Sequence, residues 1–219
     1  MIIDTTYFTS GELFIPNVIS QDALPAGTPS RNTKIDVLIS KYSREFLINS
    51  LGVILYDELA QILTNDTLDD VGNEKWKALV EGENYVLDSK TYRFDGLRGY
   101  EKQSMVAYYV FCMHLRESDL TYTTVGTVRD VAKNSFSVSA TPKYVDMWNS
   151  FVNMYQGKAY NGEAVVIRNP SGLIGLTYHN EEGFQRSLYR YLSDKNEIDA
   201  DNFPDFNFVF YKRYNSLGI

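Results

Sequence analysis

Residues 98 to 117, RGYEKQSMVAYYVFCMHLRE, constrain the fold more than any other stretch. The middle of this run is apolar on every side, so a helix built from it keeps no face for water. Such a helix is stable only where other elements enclose it. The run therefore predicts the central helix of a bundle, and the remaining chain must supply the elements around it.

Two neighbours have the required pattern. In KIDVLISKYSREFLINSLGVILYDELAQIL, Ile35, Leu38, Ile39, Tyr42 and Phe46 recur at helical spacing, and Leu47, Leu51, Ile54, Leu55, Leu59 and Ile62 continue the stripe. Asn32 or Thr33 can cap this helix, Asp36 suits its first turn, and Gly52 predicts a bend. Further on, Thr141-Pro142 opens a second helix whose stripe is Tyr144, Trp148, Phe151, Val152 and Tyr155, with Gly157 closing it. A short helix carrying Trp76, Leu79 and Val80 should end at Gly82 in a left-handed cap, and Asp95-Gly96 reads as a tight turn.

After Gly157 the pattern turns to strands. EAVVIR and LIGLTYH flank Asn-Pro-Ser-Gly, a turn with Pro second and Gly fourth. A short helix with Phe184, Leu188, Tyr191 and Leu192 on one face follows, and FNFVFYKRYNSLGI reads as one more strand. The fold class expected is mainly α: a helical-bundle core with a smaller β-containing C-terminal module, α+β overall. Residues 1–33 form an N-terminal arm, 34–157 the helical core and 158–219 the β-containing module. Residues 119 to 140 read as a long Thr/Ser/Val loop, a length usually tied to function or mobility.

The start of the chain raises its own question. FTSGELFIPN is short, apolar and broken by glycine; it reads as neither signal peptide nor helix. No unbroken run approaches the roughly 18 apolar residues of a membrane span, so a soluble chain without a membrane partner is expected.

Little catalytic chemistry can be read. His114 lies in the central helix and His179 at a strand end, and with the lone Cys112 they make no recognisable metal pattern. Cys112 sits between Phe111 and Met113 and reads as inert core. The acids Asp69, Asp70, Glu101, Glu181 and Glu182 suit helix starts better than acid–base work. With no phosphate loop, nucleophile elbow or zinc-protease motif, the expectation is no enzyme, no cofactor and no metal. One cysteine also excludes an internal disulfide. The marked entry in composition is tyrosine: 17, beside 12 Phe and 2 Trp, which suits either an aromatic core or interface surface.

The order of segments carries a resemblance. FTSGELFIPN, KYSREFLINSLGVILYDEL, WKALVEGENY, GLRGYEKQSMVAYYVFCMHL, TTVGTVRDVAKNSFSVS, YVDMWNSFVNMY and a final NSLGI follow one another in a way that resembles the head-to-tail connector (adaptor or ring) proteins of tailed bacteriophages, the crAss-like group above all. The likeness covers the chain to about residue 157 and the last five residues. It implies a virion structural protein at the head–tail junction, assembled in the host cytoplasm. Its partners would be itself, as a ring that is usually twelvefold, the portal protein, and the tail or other neck ring proteins. DNA would pass through the lumen without specific binding, and the net charge of −7 fits a wall that repels phosphate as readily as one that is simply soluble.

Closed rings need two different patches per copy. On this reading the docking residues are Phe8, Leu13, Phe14 and Ile15 of the arm, Tyr122, Val125 and Val128 of the long loop, and Phe208, Phe210, Leu217 and Ile219 near the end. The competing reading of FTSGELFIPN is a strand tucked on its own domain. Two other function classes stay open: a monomeric phage tail or surface-accessory module binding sugar or peptide through tyrosines, and a hydrolase whose site comes from distant residues.

Overall fold

A computed structural model describes residues 1–16, 18, 33–118, 121–123, 126–128, 141–157, 165–168, 174–177, 185–204, 206 and 208–214. Among these the chain is mainly α with small two-stranded sheets. Five helices are described: α1 (Thr33–Asn65), α2 (Glu74–Glu81), α3 (Met105–Ser118), α4 (Thr141–Gln156) and α5 (Leu188–Ile198). Three antiparallel hairpins accompany them: β1 (Glu83–Leu87) with β2 (Lys90–Phe94), β3 (Thr121–Thr123) with β4 (Gly126–Val128), and β5 (Val165–Arg168) with β6 (Ile174–Thr177).

α3 is the hub that its composition demands. Every residue from Met105 to Met113 is buried, and the helix packs against α1 on one side and α4 on another. Ser104 sets its start: the hydroxyl accepts from the Ala107 amide and donates to the Leu97 carbonyl at 2.6 Å. The jacket helices bury their expected stripes, Ile35, Leu38, Ile39, Tyr42 and Phe46 from α1 and Trp148, Phe151, Val152 and Tyr155 from α4.

α1 departs from expectation at its middle. Gly52 has φ 79° and ψ 171°, outside helical geometry, so the two halves of the helix do not share one phase. A stripe continued at constant pitch places Ile54 inward with Leu51 and Leu55. The break turns it out instead, and Ile54 is 78% exposed while Leu51 and Leu59 stay buried. By length and composition α1 is the one helix among the described residues apolar enough to cross a membrane. That corrects the expectation from unbroken runs; 28% of its apolar window is buried, and the buried positions lie mainly in the half before Gly52.

Gly96, at φ 77°, opens a turn where Asp95-Gly96 predicted one, and a second turn closes the β1–β2 hairpin at Asp88 and Ser89, both with positive φ (49° and 63°), as a type I′ turn requires. Gly82 has positive φ but an extended ψ of 163°, so it is not the left-handed cap expected. Its role is contact: a Cβ on Gly82 would strike the backbone at Phe94 and Asp95, and one on Gly96 would strike the backbone at Gly82 and Glu81. The two glycines let the exit of β2 pass against the end of α2. Leu97 and Arg98 amides then donate to the α2 carbonyls of Leu79 and Val80 at 3.0 and 2.9 Å, satisfying groups that a helix end leaves open.

The boundary drawn at residue 157 does not separate two cores among the described residues. Leu188, Tyr191 and Leu192 of α5 belong to the same buried cluster as α1, α3 and α4. α5 lies on the early β1–β2 hairpin, with Tyr191 stacked on Phe94 at 4.1 Å and edge-on to Tyr85 at 5.6 Å. Beneath it, Asp194 accepts from the Tyr85 hydroxyl at 2.7 Å and pairs with Arg186 and Arg190 at 3.2 and 2.8 Å. A buried carboxylate is tolerated when donors surround it in this way.

Residues 1–16 are packed and not an arm; residues 17 and 19–32 of the expected arm lie outside the described residues. A single 3-10 turn, Thr5–Phe8, is capped by the Asp4 carboxylate, which accepts from the Thr6 amide at 2.8 Å. Ile2, Ile3, Phe8, Leu13 and Ile15 are buried in the common core, and the Ile15 amide donates to the Phe8 carbonyl at 2.9 Å. The Tyr7 hydroxyl donates to the Arg98 carbonyl at 3.1 Å, which ties the segment to the approach of α3. Residues 8–16 of FTSGELFIPN are thus tucked on their own domain, through turns and not through a strand.

Candidate functional site

The surface with the most unusual construction lies along α4, where residues 208 to 214 form an extended strap. The strap was expected to be a strand, yet it takes part in no sheet among the described residues. Its main chain is read by side chains. The Gln156 amide donates to the Tyr211 carbonyl at 2.9 Å, and its oxygen accepts from the Tyr211 amide at 2.8 Å. Asn149 repeats the device on Tyr214, at 2.8 and 3.0 Å. Trp148 Nε1 adds a bond to the Lys212 carbonyl at 2.8 Å.

The spacing has a geometric cause. Asn149 and Gln156 stand two helical turns apart, a rise of about 10 Å. The three residues from Tyr211 to Tyr214 span about the same 10 Å when extended. The strap therefore runs antiparallel to α4 in step with it, and amide side chains replace a neighbouring strand. A second element contributes at the Gly52 break. Such a break frees carbonyls in the preceding turn, and that of Asn49 accepts from the Val209 amide at 2.9 Å and the Tyr155 hydroxyl at 3.3 Å.

Aromatic rings set the register. Tyr211 enters a nest of Tyr109, Trp148, Phe151 and Tyr155, with ring centroids 5.2 to 6.0 Å away. Phe208 stacks on Tyr155 at 4.2 Å, and Tyr214 meets Tyr144 and Trp148 at 6.0 and 5.9 Å. Burial raises the pKa of the Tyr155, Tyr109 and Tyr211 hydroxyls, with the Glu45 carboxylate accepting from Tyr109 at 2.6 Å. These tyrosines stay neutral at any physiological pH. Much of the tyrosine excess is thus core and strap, with the polar tips hydrogen-bonded.

Around this strap the molecule shows apolar side chains to water. Val209 is exposed on the strap, Phe210 is part-exposed with its ring against Tyr189 and Phe208 at 5.0 and 5.2 Å, and Val53 and Ile54 are exposed just past the Gly52 break. The Val209–Asn49 bond brings the two groups to the same end of the first half of α1. Phe14 is also exposed, although its neighbours Leu13 and Ile15 are not.

The expected docking residues divide accordingly. Phe8, Leu13 and Ile15 lie in the core, because the 3-10 turn folds them inward, and they are not available as a free docking surface. Phe14 and Phe210 are exposed, and Phe208 is partly buried against Tyr155. Tyr122 and Val128 lie on β3 and β4, whose strand backbones alone are described. Val125, Leu217 and Ile219 lie outside the described residues. Sequence reading missed Ile54 and Val53, since only the break at Gly52 turns them out. It also missed Asn149 and Gln156, although two amide side chains on one helical face were a visible signal.

A separate cleft of about 910 Å³ opens between the β1–β2 hairpin and the starts of α3 and α5. Glu12, Arg93, Asp95, Tyr100, Asn153 and Arg186 are among its lining residues. Its charges are already engaged: Arg93 pairs with Asp95 at 2.6 Å, Gln185 donates to Asp95, and Arg186 pairs with Asp194. Arg186 also lies over the Tyr92 ring at 3.7 Å.

For nucleophilic or metal chemistry the described residues offer little. Cys112 is fully buried, and burial pushes its thiol up to about 12. No group of three or more His, Cys, Asp or Glu among the described residues is arranged to hold a metal. Comparison of the chain with protein-family models, with characterised proteins and with solved structures finds no match in any of the three.

Proposed function

We propose that this chain is a virion structural protein that assembles into a ring at the head–tail junction of a tailed bacteriophage and acts by assembly, without turnover. The observation that supports the reading is the exposure of the apolar side chains of Val53 and Ile54 just past the Gly52 break, and of Val209, whose amide is bonded to the Asn49 carbonyl at the end of the preceding turn. Exposed apolar clusters on a rigid bundle mark association surfaces. The order of segments, similar to that of connector proteins of crAss-like phages, supplies the particular assembly. Copies of itself, the portal and neighbouring neck or tail proteins are the partners, with DNA passing through the lumen unread and assembly taking place in the host cytoplasm.

The test is made on particles. Purified virions should contain the chain, and density at the neck should accommodate its helical bundle in a closed ring. In solution, Val53→Asp with Ile54→Asp should leave helicity and cooperative unfolding intact while abolishing self-association. Virions that lack the chain would overturn the reading.

The second reading is a monomeric module that binds sugar or peptide, and the cleft beside Tyr100 favours it. That module would stay monodisperse at high concentration and lose ligand on Tyr100→Ala.

A further inference from the structure

The cleft of about 910 Å³ beside Tyr100 has two kinds of polar lining. Its charged groups are engaged already. Arg93 pairs with Asp95, Arg186 with Asp194, and the Glu12 carboxylate accepts from the Tyr108 hydroxyl. Its neutral groups are not. Gln103, Ser150 and Asn153 line the cleft, and their side chains hydrogen-bond to nothing among the described residues. Ser150 and Asn153 stand three apart on α4 and so share a face. Asn153 Oδ1 is buried without a donor, a state that few buried acceptors keep.

One edge of the cleft is built on a strained turn. Gly99, Glu101 and Lys102 all have positive φ, at 71°, 49° and 66°, and the last two are residues that seldom adopt it. A Cβ on Gly99 would strike the backbone of Gln103. The Gln103 amide closes the turn on the Tyr100 carbonyl at 2.9 Å, and Lys102 Nζ ties it to the Thr6 carbonyl at 3.3 Å. Strain of this kind concentrates where a side chain is held in place for a ligand. The side chain held here is Tyr100, which at 61% exposure is the most exposed aromatic among the described residues.

These features select a class of ligand. A phosphate or carboxylate would have to open an ion pair to reach either lining arginine. Hydroxyl and amide side chains both donate and accept, as sugar hydroxyls do. The Tyr100 ring offers a negative face to the C–H face of a sugar ring. The volume lies at the upper end of the roughly 300–1,000 Å³ of ordinary ligand sites. We infer that this cleft binds a neutral oligosaccharide, with one sugar ring packed on Tyr100 and hydroxyls bonded to Gln103, Ser150 and Asn153. The inference rests on the ligand cleft of the second reading above, for which it names the ligand, and asks nothing of the oligomeric state.

The test uses the full chain labelled with 15N. Maltotriose, chitotriose and lactose are titrated in turn, with inorganic phosphate and a trialanine peptide alongside. The side-chain amide signals of Gln103 and Asn153 are followed by NMR. At least one sugar should shift both signals at millimolar concentration, and phosphate and peptide should shift neither. Tyr100→Ala and Ser150→Ala should each weaken that sugar by about tenfold or more. Because Tyr100 is exposed, its removal should leave the remainder of the spectrum in place. Sugars that shift neither signal, an affinity that both variants leave unchanged, or a response to phosphate or peptide in place of sugar would overturn the inference. Sedimentation of the same samples separates it from the second reading. A self-associating chain that binds sugar refutes the monomeric module alone; a monodisperse chain that binds peptide and no sugar refutes the inference alone.

Discussion

His114 and Cys112 occupy the same buried helix and respond to different variables. His114 Nδ1 is buried with no hydrogen-bond partner among the described residues, and desolvation, helped by nearby Lys34 and opposed by Glu117, lowers its pKa. A histidine whose folded pKa lies below its unfolded value of about 6.5 binds its proton more readily when unfolded. Stability is therefore complete above about pH 6.5 and declines as pH falls towards the folded value. Chemical denaturation at pH 7.5 and 5.5 should show this loss, and His114→Gln should reduce it. At lower pH a second loss is expected, because Glu117 accepts from Tyr42 and Lys41 and its pKa is lowered from the ordinary carboxylate value. Cys112→Ser places a hydroxyl in an apolar site and should cost roughly 1–3 kcal/mol at any of these pH values; native Cys112 should resist thiol reagents. Phe8 gives a sharper case. It was expected to dock on a partner, yet it is fully buried in its own chain, so Phe8→Ala should cost about 3–5 kcal/mol in the isolated protein. A loss seen only in assembled material would restore the docking reading.

Between elements, backbone proximity decides more than side-chain volume. Gly82 and Gly96 allow the end of α2 and the exit of β2 to touch, both at positive φ. Gly82→Ala should lose about 1–3 kcal/mol from the backbone conformation alone, with the clash added to it. For a chain of this size each kcal/mol lowers Tm by roughly 2–4 °C, which calorimetry resolves. The strap is a different kind of element, since side-chain amides satisfy its backbone. Amide hydrogens of Tyr211 and Tyr214 should exchange slowly although they lie in no sheet. Gln156→Ala should release Tyr211 while the β1–β2 hairpin keeps its protection; equal protection at Tyr211 in the variant would mean that rings alone hold the strap.

For the whole molecule, the common core makes the N-terminal segment indispensable to folding. Ile2, Ile3, Phe8, Leu13 and Ile15 leave the core together when residues 1–17 are deleted. Each fully buried side chain of this kind is worth roughly 1.5–3 kcal/mol, so the sum rivals the stability of an ordinary domain. The truncated chain should lose cooperative unfolding by circular dichroism; a normally folded truncation would show that the segment is an appendage after all. Assembly depends on a different set of residues, those that the fold leaves uncovered.

The helices could be read from sequence because their signals are local. An apolar run with no polar face must be enclosed, which identified α3; regular stripes identified α1 and α4; Thr-Pro and Gly marked the ends of α4. Hairpin β5–β6 was legible from two apolar runs around Asn-Pro-Ser-Gly. What sequence could not supply was the partner of each apolar residue. Phe8, Leu13 and Ile15 look the same whether they face a neighbour or their own core, and only the tertiary structure chose the core. The turn at Asp95-Gly96 was legible from its glycine, whereas the hairpin turn at Asp88-Ser89 was not, because the pairing of β1 with β2 imposes it on residues with no glycine. Ile54 sits in phase with the α1 stripe until Gly52 resets it. The strap reads as a strand from its alternation, but among the described residues no strand receives it. Two amide side chains on α4 are, and their spacing along the helix matches that of the extended chain.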